Sequence, residues 1–500
     1  MRPYLLWLTI SATIGGLLFG YDTAVISGTV ESLRTFFIDP MNLSETAANS
    51  SLGLLVSSAL IGCIFGGLMG GWVSNTIGRR KGLLFAAVLF LISALGSAMP
   101  EIFFRPIGEG DHTFVWNFVA YRLIGGIGVG LASMLSPMYI AEIAPARIRG
   151  KLVSFNQFAI ISGMLVVYFV NYAIARQGED LWLHDIGWRW MFASESIPAF
   201  LFLIMVLFIP ETPRFLALKG KEDKAFSVLS KINGKEKAQQ ILLDIQTSLK
   251  EVQQSGKLLS FGLFVIVIGL AIAVFQQWVG INVILYYAPV IFKDMGAETD
   301  ASLLSTIYVG IVNIVFTVAA ILLVDRIGRK PLLIGGAIVM ATSMLAVGFI
   351  FLFGFNQVEI DGETINQFTS PGTAISAFIF ILVFIAGFAT SWGPVAWVLL
   401  SELFPNKIRG QAMALATATL WISNLIISWT FPILNNNSFL VEQFNHGFAY
   451  WIYGVIGLIA AFFVYRFVPE TSKKTLEELE GLWAKPTVFS VNKLNPRADC

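Results

Sequence analysis

Cysteine, histidine and charge are all scarce in this chain. Its two cysteines are Cys63, inside an apolar run, and Cys500, at the last position. Their expected depths are too different for pairing, so neither a disulfide framework nor a thiolate metal site is available. Three histidines without HExxH spacing remove most zinc chemistry, and no GxSxG nucleophile elbow occurs. No metal, no cofactor and no enzymatic activity are expected. Charged residues make up only 13% of the 500, with a net charge of +1, which excludes a basic nucleic-acid-binding domain. What is abundant is apolar: 56% hydrophobic residues and a mean hydropathy of +0.73, with 42 Phe and 13 Trp. Such a chain is neither disordered nor a soluble globule. It belongs in a lipid bilayer.

Crossing about 30 Å of hydrocarbon takes about twenty apolar residues in a helix. Runs of that kind lie near 7–30, 52–74, 82–99, 115–140, 152–173 and 190–209, and again near 258–285, 303–323, 332–354, 374–399, 411–434 and 447–467. They predict an all-α membrane protein with twelve transmembrane helices. The runs are continuous, not the alternating segments of about ten residues that a transmembrane barrel needs. The first contains Asp22 and lacks a clean cleavage site, so it reads as a retained helix and not a signal peptide. The stretch KGKEDKAFSVLSKINGKEKAQQILLDIQTSLKEV has helical apolar spacing amid mixed charge, and reads as amphipathic helices between two sets of six. The division is a six-helix half over 1–210, a helical linker over 211–257, a second half over 258–468 and a tail over 469–500.

Lys and Arg gather in alternate loops: Arg79, Arg80 and Lys81; Arg147, Arg149 and Lys151; Arg326, Arg329 and Lys330; Lys407 and Arg409. The positive-inside rule places these loops, and both termini, in the cytoplasm of a multi-pass cell-membrane protein. The alternate loops carry Glu101, Glu109 and Asp111 against Arg105, or Glu359, Asp361 and Glu363 with no basic residue, and are assigned outside.

The halves repeat each other. Glu142-Ile-Ala-Pro-Ala-Arg-Ile-Arg149-Gly150 matches Glu402-Leu-Phe-Pro-Asn-Lys-Ile-Arg409-Gly410, 260 positions later. Asn75-Thr-Ile-Gly78-Arg79-Arg80 pairs with Asp325-Arg-Ile-Gly328-Arg329-Lys330, and Pro210-Glu211-Thr212-Pro213-Arg214 with Pro469-Glu470-Thr471-Ser472-Lys473, at nearly the same offset. Six spans per half give both halves the same orientation, so they form parallel repeats with a substrate site expected between them.

Intramembrane ionisable groups are costly and by default functional. Asp22, Arg122 and Glu195 fall at similar expected depth, roughly 8 to 12 Å below the outer boundary at 1.5 Å per residue, so they can meet. Desolvation penalises a charged carboxylate and a neighbouring guanidinium favours it. A pair that separates as the protein rocks therefore couples to protons, whereas one that stays together is a static ion pair. At the arginine-rich rim, Arg79, Glu142, Arg149, Asp325, Arg329, Glu402 and Arg409 are expected to cross-link the halves as a cytoplasmic gate.

Several longer motifs are more specific: Gly15-Gly-Leu-Leu-Phe-Gly-Tyr-Asp22, Tyr121-Arg122-Leu-Ile-Gly-Gly-Ile-Gly-Val-Gly130, Pro210-Glu-Thr-Pro-Arg214, Gln276-Gln277-Trp-Val-Gly-Ile-Asn282 and Gly393-Pro-Val-Ala-Trp397. With them the chain resembles the sugar porter branch of the major facilitator superfamily, and within it the bacterial proton-coupled xylose symporters, over all but about the last fifteen residues. The resemblance implies proton-coupled import of a monosaccharide, pentose or hexose, by alternating access, with the bilayer, the sugar and a proton as partners and a monomer as the working unit. It places Asp22 where the proton-carrying Asp sits, a position that is Asn in facilitative relatives. It places Gln157, Gln276, Gln277, Asn282, Asn313 and Trp397 at sugar-contacting positions, which suits a neutral polyol: amides both donate and accept, and an aromatic face covers C–H surface. Phe19 and Tyr286 are candidate walls. Where xylose symporters carry glutamines, this chain has Met164 and Leu420, which removes two amides from the expected cage. A facilitative uniporter and a non-transporting sugar sensor are the rival readings. Asp22 weighs against the first, and a tail of only about thirty residues against the second.

Overall fold

The computed structural model describes residues 3–145, 148–252, 262–360, 363–368, 370–405 and 408–472. Twelve helices among them are long and apolar enough to cross a membrane, beginning with Pro3–Gly28 and Glu45–Thr76 and ending with Phe448–Phe467. Nine of the twelve start and end within about four residues of the apolar runs. The second, sixth and seventh, Glu45–Thr76, Asp180–Phe208 and Leu263–Asp294, extend well beyond them at the end away from the arginine turns. There the helix continues through polar residues that a hydropathy reading assigns to loops, among them Asp185, Arg189 and Lys293.

Four spans are interrupted where the site will be built, among them the sixth, at Glu195 between Trp188–Ser194 and Ser196–Phe208. The first ends in a tighter turn over Ile26–Gly28. The seventh divides into Leu263–Trp278 and Ile281–Asp294 around Gly280, whose φ of +90° suits a residue without a Cβ. The tenth divides into Pro371–Thr390 and Pro394–Leu403, with Pro394 opening the second segment, where its missing N–H costs nothing. Linker helices Glu222–Asn233 and Lys235–Val252 bury Ala225, Val228, Leu229, Ile232, Ala238 and Leu242, as an amphipathic pattern requires. The linker and tail assigned to 211–257 and 469–500 are described only as far as Val252 and Ser472.

To the all-α membrane fold the structure adds one short hairpin. Phe355–Ile360 and Glu363–Phe368 pair as an antiparallel hairpin in the register Phe355↔Phe368 to Ile360↔Glu363. The sequence carries the signal: β-branched and aromatic residues alternate with polar ones on either side of Asp361-Gly362, a pair favoured in two-residue turns. Asp361 itself lies outside the described residues.

Apolar side chains such as Leu68, Trp72, Phe208, Phe353 and Phe462 remain exposed on the helices. In water that would be a liability, but on a bilayer-spanning bundle it is the lipid-facing surface. Inside, one ion pair stands just beyond the third span. Glu101, fully buried just after the third span, takes both carboxyl oxygens to Arg189 Nη1 at 2.8 and 2.9 Å and accepts the Gly108 amide at 2.7 Å. Burial pushes this carboxyl up, but the Arg189 bonds and the Gly108 amide outweigh it and hold it below its ordinary value. A lowered carboxyl contributes stability above its unfolded pKa and loses it as pH falls through the folded one. Glu101→Gln is therefore expected to lower Tm at neutral pH, by the equivalent of about 3 kcal/mol for breaking a buried pair. In thermal melts the gap to the parent should close below about pH 4; a gap independent of pH would show that the pair contributes packing and not charge.

Candidate functional site

The two arginine-rich turns fold as copies. Gly78 turns at φ +101°, and the Glu211 carboxylate accepts the amides of Arg79, Arg80 and Thr212 at 2.9 to 3.2 Å. Arg79 Nη2 reaches Glu142 Oε1 at 2.7 Å while Thr212 Oγ1 donates to Glu142 Oε2 at 2.6 Å. In the second half Gly328 turns at φ +99°, Glu470 accepts the amides of Arg329, Lys330 and Ser472, Arg329 Nη2 reaches Glu402 at 3.0 Å, and Thr471 Oγ1 donates to Glu402 at 2.6 Å. A Cβ on either glycine would lie within 3 Å of the carboxylate that seals the turn, which is why glycine stands there. Burial pushes the Glu211 carboxyl up, against the pull of the three amides and Arg79.

In this conformation Arg79 pairs with Glu142, and Arg329 with Glu402, inside one half, because each arginine starts one helix and its glutamate ends the next helix of the same repeat. Arg149 is exposed at the start of the fifth span, and Arg409 donates its Nε to the Phe404 carbonyl at 3.1 Å. The Asp325 side chain lies outside the described residues. The repeated Glu-Thr of the motifs at 211–212 and 470–471, whose role the sequence left open, turns out to hold the turns together.

Hydrogen bonds between the halves gather at the opposite end. Glu31 pairs with Lys293; Glu45 accepts the Ser438 amide at 2.9 Å; Asn49 and Asn436 exchange bonds of 3.4 Å; Trp429 Nε1 donates to the Ser50 carbonyl at 3.0 Å; Thr299 Oγ1 donates to Asp180 at 3.1 Å. That end of the bundle is clasped shut.

Between the two ends, the three intramembrane charges meet. Arg122 Nη1 donates to Asp22 Oδ1 at 2.7 Å and Nη2 to the Asp22 carbonyl at 3.2 Å. Its guanidinium lies 5.3 Å from the centre of the Phe192 ring. Glu195, in the break between Trp188–Ser194 and Ser196–Phe208, abuts Asp22. Asp22 and Glu195 are both 0% exposed and Arg122 1%, so the group is sealed from solvent. Asp22 Oδ2 and both Glu195 oxygens have no donor among the described residues. Two carboxyls face each other across from one cation.

The amides fall into two sets. Gln276 donates Nε2 to the Trp392 carbonyl at 2.8 Å, which fastens the broken tenth span to the seventh. Asn282 Nδ2 bonds Gln277 Oε1 across the break at Gly280, while Gln276, about 100° round the same continuous helix, faces the tenth span. Gln157, Asn313 and Trp397 make no polar side-chain bond among the described residues and retain surface, which leaves their polar groups available to a ligand. Phe19 and Trp421 bring rings from opposite halves to 5.5 Å, and Tyr286 accepts Asn424 Nδ2 at 3.2 Å. Trp421 and Asn424 were missed from sequence, although Asn424 carries the same signal as the other amides, a polar side chain inside a span. Met164 and Leu420 are both buried.

Two like-oriented helical halves, clasped at one end around a buried charge cluster and a set of free amides, define a membrane transporter. The chain belongs to the sugar (and other) transporter family, whose profile matches residues 8–483. It is 57% identical to the D-xylose-proton symporter of Escherichia coli, over 97% of this chain and 96% of that protein. It is 38% identical to the glucose facilitated diffusion protein of Zymomonas mobilis, over 95% and 97%. Its structure is similar to the inward-open conformation of the E. coli xylose transporter XylE, with a TM-score of 0.84 and 54% identity over 96% of this chain and 100% of that one.

Proposed function

We propose that this chain carries a monosaccharide, D-xylose or a closely related pentose or hexose, into the cell together with a proton. The observation that carries the reading is the buried cluster of Asp22, Glu195 and Arg122. Two carboxyls against one guanidinium leave an excess negative charge in a dry site, and a single proton on the carboxyls brings it to neutrality while giving the donor-less oxygens a partner. When the halves rock and the cluster opens toward the other side, solvation of the carboxyls and distance from Arg122 change, and the proton is exchanged there. The sugar is held by the free amides of Gln157 and Asn313, the Gln277–Asn282 pair and the face of Trp397, with Gln276 positioning the tenth span. The domain division is the one read from the sequence, with 1–210 and 258–468 as rocking halves and 211–257 bridging them. The arginine turns and both termini face the cytoplasm, the clasped end faces outside, and the conformation is inward-facing, in keeping with the similarity to an inward-open relative. Each arginine turn acts as a hinge seal of its own half, and the chain has no catalytic role.

Asp22 weighs against a facilitative uniporter. The test is uptake of labelled xylose, glucose and galactose into vesicles under an imposed pH gradient: accumulation above the outside concentration supports symport, and mere equilibration identifies a uniporter. Gln277→Ala and Trp397→Ala are each expected to weaken sugar binding by about 1 to 3 kcal/mol without affecting membrane insertion. Unchanged affinity in both, by calorimetry or tryptophan quenching of the purified proteins, places the sugar elsewhere.

A further inference from the structure

A second polar centre lies far from Asp22, at the clasped end of the second half. Asp294 ends the seventh span. Asn435, only 2% exposed on the eleventh span, donates Nδ2 both to Asp294 Oδ2 and to Asn436 Oδ1, each at 3.0 Å. With both amide protons committed, the orientation of that side chain is fixed, and its own Oδ1 is buried with no donor among the described residues. The Tyr450 hydroxyl, on the last span and 0% exposed, likewise has no partner among the described residues. His446 gives Nδ1 to the Asn435 carbonyl at 2.7 Å. A carbonyl only accepts, so Nδ1 carries the hydrogen. The charged and titratable groups around Asp294 are thus His446 and Tyr450 from its own half, Glu31 from the other, and its chain neighbour Lys293.

We propose that Asp294, with Asn435 and His446, is a second proton-binding site, and that a proton taken up there stabilises the closed outer end. The missing donor for Asn435 Oδ1 is a proton on the Asp294 carboxyl, which would complete a reciprocal acid–amide pair. The consequence for closure follows from sequence neighbours. Lys293, adjacent to Asp294, holds Glu31 of the first half, and Asn436, adjacent to Asn435, holds Asn49. Locking Asp294 to Asn435 fixes the spacing of both cross-half contacts at once. Unlocking it leaves a carboxylate facing an amide oxygen, and the two contacts lose their common base. That this end faces outside rests on the orientation given under Proposed function; the coupling of a proton to closure does not.

The test needs neither sugar nor transport. Spin labels at Thr46→Cys and Phe439→Cys, exposed on opposite halves at this end, report its opening by distance measurement in a Cys500→Ser, Asp22→Asn background, with the buried Cys63 left in place. On acidification from about pH 8 to pH 5, the closed-to-open ratio is expected to rise roughly tenfold, a usual size for coupling between a ligand and a conformation. Asp294→Asn, the shape of the protonated acid, should stay closed throughout and lose that response. If that variant is not recovered folded, Asn435→Ala keeps the carboxyl but removes its acceptor, and should flatten the response in the same way. A pH response in Asp294→Asn, or failing that in Asn435→Ala, equal to the parent's overturns the site. Because no sugar is present, a failure here is distinct from a failure to accumulate sugar in vesicles.

Discussion

Asp22→Asn is expected to abolish sugar accumulation driven by a pH gradient while sparing sugar binding and exchange of sugar for sugar. The amide has nearly the shape of the protonated acid and can still offer an oxygen to Arg122 Nη1, now 2.7 Å from Asp22 Oδ1. What it cannot do is release a proton, so the conformational cycle runs without the step that ties it to the gradient. Arg122 is buried with Asp22 as its salt-bridge partner, and leaving such a charge uncompensated costs about 3 to 5 kcal/mol. Glu195, beside Asp22 and without a hydrogen-bond donor of its own, is placed to take over the neutralisation, which moderates that cost. The variant should therefore melt earlier than the parent but still insert and bind sugar. Adding Glu195→Gln to it removes the substitute carboxylate and should lower Tm further, beyond the sum of the single effects, because the two carboxyls serve one cation. If Asp22→Asn concentrates sugar in proportion to the proton-motive force, Asp22 is a structural ion pair and the symport reading falls.

The span count, the two-fold repeat and the meeting of Asp22, Arg122 and Glu195 were all legible in the sequence, for one physical reason. A bilayer forces helices of fixed length and makes each buried charge conspicuous, so depth can be counted in residues. Partners set by tertiary contact were not legible. Glu101 sits in a segment that counts as an acidic loop, yet it is buried against Arg189, itself flanked by Trp188 and Trp190 where a hydropathy reading places a loop. The arginine turns read as one gate because their spacing repeats. Repetition is equally the signature of two copies of a self-contained turn, and in this conformation the Gly78–Glu211 and Gly328–Glu470 contacts hold each turn to its own half. Among the amides, spacing alone cannot distinguish Gln276, committed to a backbone carbonyl, from Gln157, which has no polar partner among the described residues, since both are glutamines inside apolar helices. The break at Gly280, which brings Asn282 back to Gln277, is what spacing on an ideal helix leaves out.

Gly126→Ala is expected to cost the folded protein, although it adds a single methyl group and touches none of the ionisable groups. Gly126 on the fourth span lies against the backbone of the second, where a Cβ would stand 1.8 Å from the Ala59 carbonyl oxygen and 3.0 Å from the Cys63 amide nitrogen. Gly62 on the second span answers it, its Cβ position falling 2.1 Å from the Leu123 carbonyl oxygen. Ordinary contact begins near 3.4 Å, and the obstructing atoms are backbone, so no rotamer change relieves the clash and the two helices must part. Close backbone approach through small residues is the main source of helix association inside a membrane, where lipid removes the hydrophobic drive between helices. Arg122 lies one turn before Gly126, and a Cβ on Gly125 would already be 3.4 Å from Asp22 Oδ1, so parting these helices also shifts the guanidinium from its carboxylate. Overpacking of this kind costs about 1 to 3 kcal/mol and often more where only backbone can move. The measurements are Tm in detergent and the monodisperse yield after purification. Gly335→Ala serves as control, since nothing lies within 4 Å of its Cβ position and alanine suits a helix better than glycine. Equal Tm for Gly126→Ala and Gly335→Ala would mean that the second and fourth spans are not in backbone contact, and that the buried charge cluster is positioned by other helices.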